Sequence, residues 1–148
     1  MSGRILSIDP GDKRIGVAVS DPSGTIANPL CVLGHVARMI DAAAIAQLAI
    51  EQDVALIVVG QVMDGESEPG PQGRKAIRMA EAIRSLTDIP VVLFDEYGST
   101  QKAQSARIGM GVKRTRRSGH MDELAATVIL QAYLDDQFEK RNEKKHDK

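Results

Sequence analysis

Three acidic residues of this sequence are candidates for a catalytic site: Asp9, Glu96 and Asp122. The first ends an apolar run before a Pro-Gly turn, the second follows the apolar run 91–94, and the third opens an alanine-rich segment. A carboxylate at the end of a buried strand is costly to desolvate unless it is paired. Three that converge repel one another unless a divalent cation lies among them. The pattern therefore predicts a Mg²⁺ or Mn²⁺ site that performs phosphoryl chemistry.

The first two acids also have simpler interpretations. Asp9 would serve as a turn former before Pro10, and Asp95-Glu96 would simply begin a loop. Because neighbours in an extended segment point to opposite faces, at most one of Asp95 and Glu96 can face Asp9. We assign Glu96 to the site and leave Asp95 a capping or orienting role.

Asp122 has a simpler interpretation too, because an acid in the first turn of a helix is favoured by the helix dipole. However, Asp122 lies on the same helical stripe as Ala126 and Ile129, the face expected to meet the sheet. We therefore assign Asp122 to the site and expect the adjacent Glu123 to be solvated. His120 is interpreted as an exposed loop residue, with contact to the metal or to a phosphate as the alternative.

A cluster of positive charge precedes Asp122 in the sequence. Such runs are usually only solvated, but cations beside a metal centre suit a phosphodiester backbone. The cluster, together with two residues of the first predicted hairpin, is expected to bind nucleic acid. These residues are Lys13, Arg14, Lys113, Arg114, Arg116 and Arg117.

A stretch rich in glycine and proline spans residues 61–73 and includes Gly65, Gly70 and Gly73. It is not a Walker phosphate-binding loop, because no Gly-Lys-Ser or Gly-Lys-Thr follows the glycines. We interpret the whole stretch as a mobile loop that could lie over the substrate.

Length and composition are those of one ordinary domain. The 148 residues carry a net charge of −1, so the overall charge does not favour polyanions and any nucleic acid binding must come from a local basic cluster. The single Cys31 excludes an intramolecular disulfide and suits a reducing compartment. No signal peptide or membrane-length apolar stretch is evident, so a cytoplasmic protein is expected. We predict a domain over residues 1–138 and a polar, disordered tail over 139–148.

Changes in apolar periodicity along the chain predict an α/β fold. Alternation in the first third indicates three strands, continuous apolar runs indicate strands covered on both faces, and i, i+4 patterns indicate helices. The predicted strands span 4–9, 14–20, part of 25–33, 54–60 and 89–94, and the predicted helices span 37–52, 74–86, 99–108 and 120–138. A five-stranded mixed sheet with helices on both faces follows, in the element order of the ribonuclease H-like fold.

Several segments resemble the YqgF (RuvX-like) family, and together the resemblance covers roughly residues 4–136. The matching segments are 8–22, 58–60 with 63–65, 95–96 with 99–100, and 122–126 with 129–131. The resemblance implies a ribonuclease H-like fold akin to that of Holliday junction resolvases. It also implies a nuclease that matures the 5′ end of the small-subunit (16S) ribosomal RNA precursor, with the family's acids at Asp9, Glu96 and Asp122.

The expected mechanism uses two Mg²⁺ or Mn²⁺ ions, about 3.5–4 Å apart, that stabilise the attacking and leaving oxygens of an in-line displacement. Asp9 would bridge the two ions, Glu96 would hold one and help to position water, and Asp122 would hold the other. The expected partners are structured RNA, a ribosomal precursor particle or branched DNA, with no membrane contact. The chain is expected to act as a monomer or as a homodimer.

Three other functions stay open at this point. A resolvase that acts on branched DNA would use the same acids. A nucleic-acid-binding module without catalysis is retained because Tyr97 and Gly98 stand where the family has a basic and then an aliphatic residue. A kinase of the actin-like ATPase superfamily ranks last, because that architecture needs two such lobes and this chain has one.

Overall fold

The computed structural model of the chain describes residues 3–11, 13–61, 71–95 and 121–146. Within these ranges the chain forms five strands and three helices. The strands are β1 (Arg4–Pro10), β2 (Arg14–Ser20), β3 (Ala27–Gly34), β4 (Val54–Gly60) and β5 (Val91–Phe94). The helices are α1 (Arg38–Glu51), α2 (Pro71–Arg84) and α3 (Met121–His146). The predicted helix over 99–108 lies outside the described residues.

The strands form one mixed sheet in the order β3-β2-β1-β4-β5, which makes β1 the central strand. β2 pairs antiparallel with both β1 and β3. β4 runs parallel to β1 on one side and to β5 on the other. Parallel neighbours need crossover connections, and α1 lies in the first of them and α2 in the second. The C-terminal ends of β1, β4 and β5 therefore meet at one edge of the sheet, which we call the carboxyl edge.

Alternating side chains of β1 divide the core into two faces. Leu6 and Ile8 are fully buried in a cluster that includes Ile45 of α1 and Ile83 of α2. Ile5 packs on the opposite side of the sheet, in the clusters that contain α3 side chains. α1 and α2 thus cover one face and α3 covers the other, and the predicted sheet with helices on both faces is confirmed.

After Arg14, the α3 face of β2 carries only small residues, as the sequence suggested. Ala18 is fully buried against Ala126, Leu130 and Leu134 of α3. Ile15, Val17 and Val19 point to the other face and join the α1/α2 cluster. The small side chains on one face of β2 let a helix pack close to the sheet.

Two elements begin at positions that proline determines. α2 begins at Pro71, so Gly73, which was predicted to lie in the preceding loop, is part of the first helical turn. Proline fits this place because the N–H groups of the first turn have no intrahelical acceptor. β5 begins at Val91 rather than at residue 89, because Pro90 has no N–H to donate. The carbonyl of Pro90 instead accepts a hydrogen bond from the Ile57 N–H at 2.9 Å.

α3 continues to His146, beyond its predicted end at residue 138. The added turns are rich in Glu, Lys and Arg, which are good helix formers. Lys140 Nζ also lies 3.2 Å from Asp136 Oδ2, one turn earlier. The predicted domain boundary at residue 138 stays a prediction. Neither α3 nor any other helix in the described part of the chain has the length and apolar composition needed to cross a membrane.

The turn between β2 and β3 is organised by the carboxylate of Asp21. Its Oδ1 accepts hydrogen bonds from the N–H groups of Thr25, at 2.8 Å, and Ile26, at 2.9 Å. Its Oδ2 accepts one from the Ser23 hydroxyl. The Ile26 N–H, followed by the Ser23 hydroxyl and the Thr25 N–H, holds the pKa of Asp21 well below its usual range. The ionised carboxylate therefore fixes the path of the chain from β2 into β3.

This turn predicts a pH-dependent contribution to folding stability. Because the pKa of Asp21 is lower in the folded state, its contribution is complete above the unfolded-state pKa of about 3.9 and is lost as pH falls toward the folded-state pKa. We expect Asp21→Ala to lower the free energy of unfolding near neutral pH, and the deficit to shrink below roughly pH 4. Urea unfolding followed by circular dichroism at several pH values measures the deficit. A deficit independent of pH would contradict this account.

Candidate active site

Asp9 lies at the carboxyl edge, in the last part of β1, and its side chain is partly exposed. Ile5 and Ser7 precede it at two-residue intervals and both contact the α3 side of the sheet. Strand alternation therefore places Asp9 on the α3 face. β1 is the central strand and is hydrogen-bonded on both sides, so the backbone that carries Asp9 is held by two neighbouring strands.

Glycines flank Asp9 on both neighbouring strands. Gly16 is its partner in the antiparallel ladder with β2. The parallel register pairs Ile8 with Val59, so the next residue along β4, beside Asp9, is Gly60. Since neither glycine carries a side chain, the space on both sides of the carboxylate is left to a ligand or to the approaching helix.

α3 is seated against β1 and β4 close to Asp9. The hydroxyl of Ser7, which is fully buried, donates a hydrogen bond to the Ala126 carbonyl at 2.8 Å. At the adjacent strand, a Cβ atom added to Gly60 would lie only 2.6 Å from Ile129 Cδ1. The side chain of Ile129 thus occupies the space that Gly60 leaves empty, and the helix approaches the sheet more closely than a larger residue would allow.

α3 runs antiparallel to β1, so its first turn lies at the carboxyl edge. Ala126 is level with Ser7, whereas Tyr133, two turns later, packs near the beginning of β1. Asp122 precedes Ala126 by one turn. The structure therefore brings the backbone of Asp122 to the same edge and the same face as Asp9. The side chain of Asp122 lies outside the part of the chain that the structure describes.

The third predicted acid follows β5, the edge strand that lies two places from β1. Strand spacing puts β5 roughly 10 Å from β1. Val92 and Phe94 pack with α3 side chains, so Phe94 shares the α3 face with Asp9. Asp95 is partly buried directly after the strand. Glu96 lies outside the described residues.

The predicted nucleic-acid-binding residues are only partly described. Lys13 and Arg14 are exposed at the turn between β1 and β2, at the carboxyl edge. The remaining predicted contacts, Lys113, Arg114, Arg116 and Arg117, lie outside the described residues. His120, which was interpreted as an exposed loop residue, lies outside them as well.

Among the side chains that the structure describes, no group of three or more His, Cys, Asp or Glu residues could hold a metal ion. Two of the three predicted ligands, Glu96 and Asp122, are not among those side chains. The described part of the site therefore consists of Asp9, the backbone of the first turn of α3, which contains Asp122, and the end of β5, after which Glu96 follows in the sequence.

Sequence reasoning missed a group of polar residues on the other face of this edge. Lys75 Nζ of α2 donates to the Gly11 carbonyl at 2.7 Å and ties the helix to the β1–β2 turn. Asp41 of α1 accepts a hydrogen bond from the Val36 N–H at 3.0 Å and contacts His35 Nδ1. The one available signal was that Asp41 lies on the same helical stripe as the buried Ile45 and Ala49.

Comparison with known proteins assigns the chain to a family. The family model described as "RuvX: Holliday junction resolvase" matches residues 3–136. The chain belongs to the RuvX family. A relative from Thermoanaerobacter pseudethanolicus, named "Putative pre-16S rRNA nuclease", is 41% identical over 138 residues, which are 93% of this chain and 99% of the relative. A relative of the same name from Roseiflexus is 36% identical over 135 residues, covering 91% of this chain and 96% of the relative.

Solved structures show that this RuvX-family chain shares its fold with RuvC. The structure of T. thermophilus RuvC in complex with a Holliday junction substrate has a TM-score of 0.60 at 16% identity and covers 92% of this chain and 96% of that chain. A second structure of Thermus thermophilus RuvC has a TM-score of 0.54 at 15% identity, with 87% and 92% covered. The predicted ribonuclease H-like fold is confirmed, and at these identities the likeness concerns the fold alone.

The contact between α3 and β4 predicts the effect of a methyl group at position 60. Gly60→Ala should clash with Ile129, which is only 7% exposed, and cost about 1–3 kcal/mol of unfolding free energy by overpacking. Ile129→Val removes Cδ1 and should alone cost about 0.5–1.5 kcal/mol. Because the shorter side chain relieves the clash, the double variant should be more stable than the sum of the single effects predicts. Strict additivity in urea unfolding would show that this contact does not set the position of the helix.

Proposed function

We propose that this RuvX-family chain is a metal-dependent nuclease that hydrolyses phosphodiester bonds in the 16S ribosomal RNA precursor, at its 5′ end. The observation that carries the proposal is the meeting, at the carboxyl edge, of Asp9 on β1 with the first turn of α3, which contains Asp122. The names of the relatives support the choice of substrate. The proposed place of action is the cytoplasm, on the ribosomal precursor particle.

The acids of the site suit Mg²⁺ or Mn²⁺ as cofactor. Hard divalent cations prefer carboxylate oxygens, and Asp9 is a partly exposed carboxylate with a glycine on each side. Bound ions would stabilise the negative charge that develops on the phosphate during displacement. They would also offset the repulsion between carboxylates gathered at one edge.

Each acid is assigned one role in this proposal. Asp9 is the shared ligand, a role that suits a residue held on the central strand, because catalytic ligands must stay within about 0.5 Å of the productive geometry. Asp122 would hold a second ion from the first turn of α3. Glu96 would hold the other ion and help to orient the attacking water.

Strand alternation supports Glu96 rather than Asp95 as the acid contributed after β5. Phe94 packs against α3, so a chain that stays extended beyond β5 presents position 96, and not position 95, on the face of Asp9. The gap of roughly 10 Å between β5 and β1 also favours the longer glutamate side chain over an aspartate.

Replacing each ligand by its amide tests the assignment, because the amide keeps the shape and removes the charge. We expect Asp9→Asn, Glu96→Gln and Asp122→Asn each to lower cleavage by at least about 100-fold, since even outer-shell partners of metal ligands contribute 10–100-fold. Asp95→Asn is the matched control and should retain most of the activity. Single-turnover cleavage of labelled precursor RNA with Mn²⁺ gives the rates, and circular dichroism checks folding.

The outcomes of this comparison separate the remaining functions. Normal cleavage by Asp9→Asn would contradict the mechanism. Loss of activity in Asp95→Asn together with normal activity in Glu96→Gln would exchange the roles of these two residues. A folded protein that neither cuts RNA nor binds Mn²⁺ would favour a binding module without catalysis, the alternative that Tyr97 and Gly98 suggest.

Branched DNA is the second candidate substrate, because the family description reads Holliday junction resolvase. A resolvase must cut two strands and therefore needs two active sites, hence a dimer, whereas a processing nuclease needs one. A four-way DNA junction belongs in the same assay as the precursor RNA, with the oligomeric state measured by sedimentation. Asp9-dependent cleavage of the junction alone, by a dimer, would favour the resolvase over the proposed function.

The basic residues that precede α3 are proposed to hold the backbone of the substrate: Lys113, Arg114, Arg116 and Arg117. Replacing all four by Gln should flatten the slope of log affinity against log salt by about 3.6 on duplex nucleic acid, because each phosphate contact contributes about 0.9. Fluorescence anisotropy with a labelled duplex measures the slope. An unchanged slope would exclude these residues from the binding surface.

A further inference from the structure

A groove on the α1/α2 side of the carboxyl edge has no role in the site described above. Its volume is about 440 Å³, and it lies between the β1–β2 turn, the start of α1 and the middle of α2. Ligand-binding clefts are usually about 300–1,000 Å³, so the groove can hold a nucleotide-sized group. Gly11, which lines it, follows Asp9 by two residues and so lies within about 7 Å of Asp9 along the chain.

Positive charge lines the groove from two helices. Arg38 of α1 and Arg78 of α2 are both exposed there, and Lys75 of α2, which bonds to the Gly11 carbonyl in the turn, also lines the groove. The guanidinium group of arginine matches the geometry of a phosphate with two parallel N–H donors. The groove therefore offers two phosphate-binding side chains and a third cation, all at the carboxyl edge.

Asp41 is the one acid among the described residues that line the groove, and its oxygens are engaged within the protein. The residue is only 3% exposed. Its Oδ1 accepts a hydrogen bond from the Val36 N–H at 3.0 Å, and its Oδ2 contacts His35 Nδ1. The arrangement also fixes the ring of His35, whose side chain is 37% exposed beside the groove. Among the described residues that line the groove, an entering anion thus meets cations and no exposed carboxylate.

We infer that this groove binds the phosphodiester backbone of the nucleic acid substrate, at phosphates beyond the bond that is cut. The inference rests on the proposed function, because it extends the path of the same substrate. Asp9 lies on the α3 face and the groove lies on the α1/α2 face, so a nucleic acid strand that crosses the carboxyl edge at the β1–β2 turn would contact both. Lys75, through its hydrogen bond to Gly11, attaches one wall of the groove to the turn that follows Asp9.

The test measures binding in an Asp9→Asn protein, so that cleavage does not disturb the equilibrium. The added change Arg38→Gln/Arg78→Gln should reduce the steepness of log affinity against log salt by about 1.8 for a duplex or four-way junction, and by about 1.4 for single-stranded RNA. On a duplex, the ratio of the parent's affinity to the variant's affinity should therefore fall about 12-fold between 50 and 200 mM salt. Arg38→Lys/Arg78→Lys keeps the charge and should keep most of the slope.

The matched control removes the same charge at the other end of the sheet. Lys140→Gln/Arg141→Gln changes two exposed residues of α3, and Arg141 lies with Gly3 near the start of β1. This control should leave the salt slope unchanged. Equal slopes for the groove variant and the Asp9→Asn parent would overturn the inference while leaving the nuclease proposal intact. If the parent protein binds none of the nucleic acids, the proposed function fails as well.

Discussion

The site depends on how closely α3 is seated on the central strands. The Ser7 hydroxyl bonds to a backbone carbonyl of the helix, and the Ile129 side chain fills the space above Gly60. Ala18 removes bulk from the same face of β2. A larger side chain at any of these strand positions would lift the helix, and its first turn would move away from Asp9. The close packing of α3 in the core therefore also determines where the backbone of Asp122, a candidate metal ligand, lies.

Parallel pairing explains why residues from distant parts of the chain reach one edge. β1, β4 and β5 all end there, and α3 begins there because it runs back along β1. The sheet also separates two kinds of charge: Asp9 faces α3, whereas Arg38 and Arg78 lie on the α1/α2 side. A ligand that crosses the edge at the β1–β2 turn would therefore meet Asp9 on one face of the sheet and the two arginines on the other.

Local patterns predicted most of the fold, and tertiary contacts account for what they missed. The alternation of Ile15, Val17 and Val19 predicted β2 and the side chains on each of its faces. Asp9 was chosen because it is the acid at the end of a predicted strand, directly before a turn. The contact of His35 with Asp41 and the bond from Lys75 to Gly11 could not be predicted, because they join elements whose relative placement no local pattern contains. The sequence likewise shows that Gly60 ends a strand, but it does not show that a side chain of the last helix occupies the space beside this glycine.

The position of Asp9 at the end of β1 reconciles two opposing physical demands. A ligand must be rigid, which favours the central strand, yet a carboxylate deep within a strand would lose its hydration at a cost of several kcal/mol. At the carboxyl edge the backbone ladder still holds Asp9 while its side chain stays partly exposed, next to the fully buried Ile8. Gathering further acids there remains unfavourable in the absence of a cation, so an ion that binds only the folded protein would also stabilise the fold. If the proposed ion binds at Asp9, the placement of this residue would couple folding to the occupancy of the site.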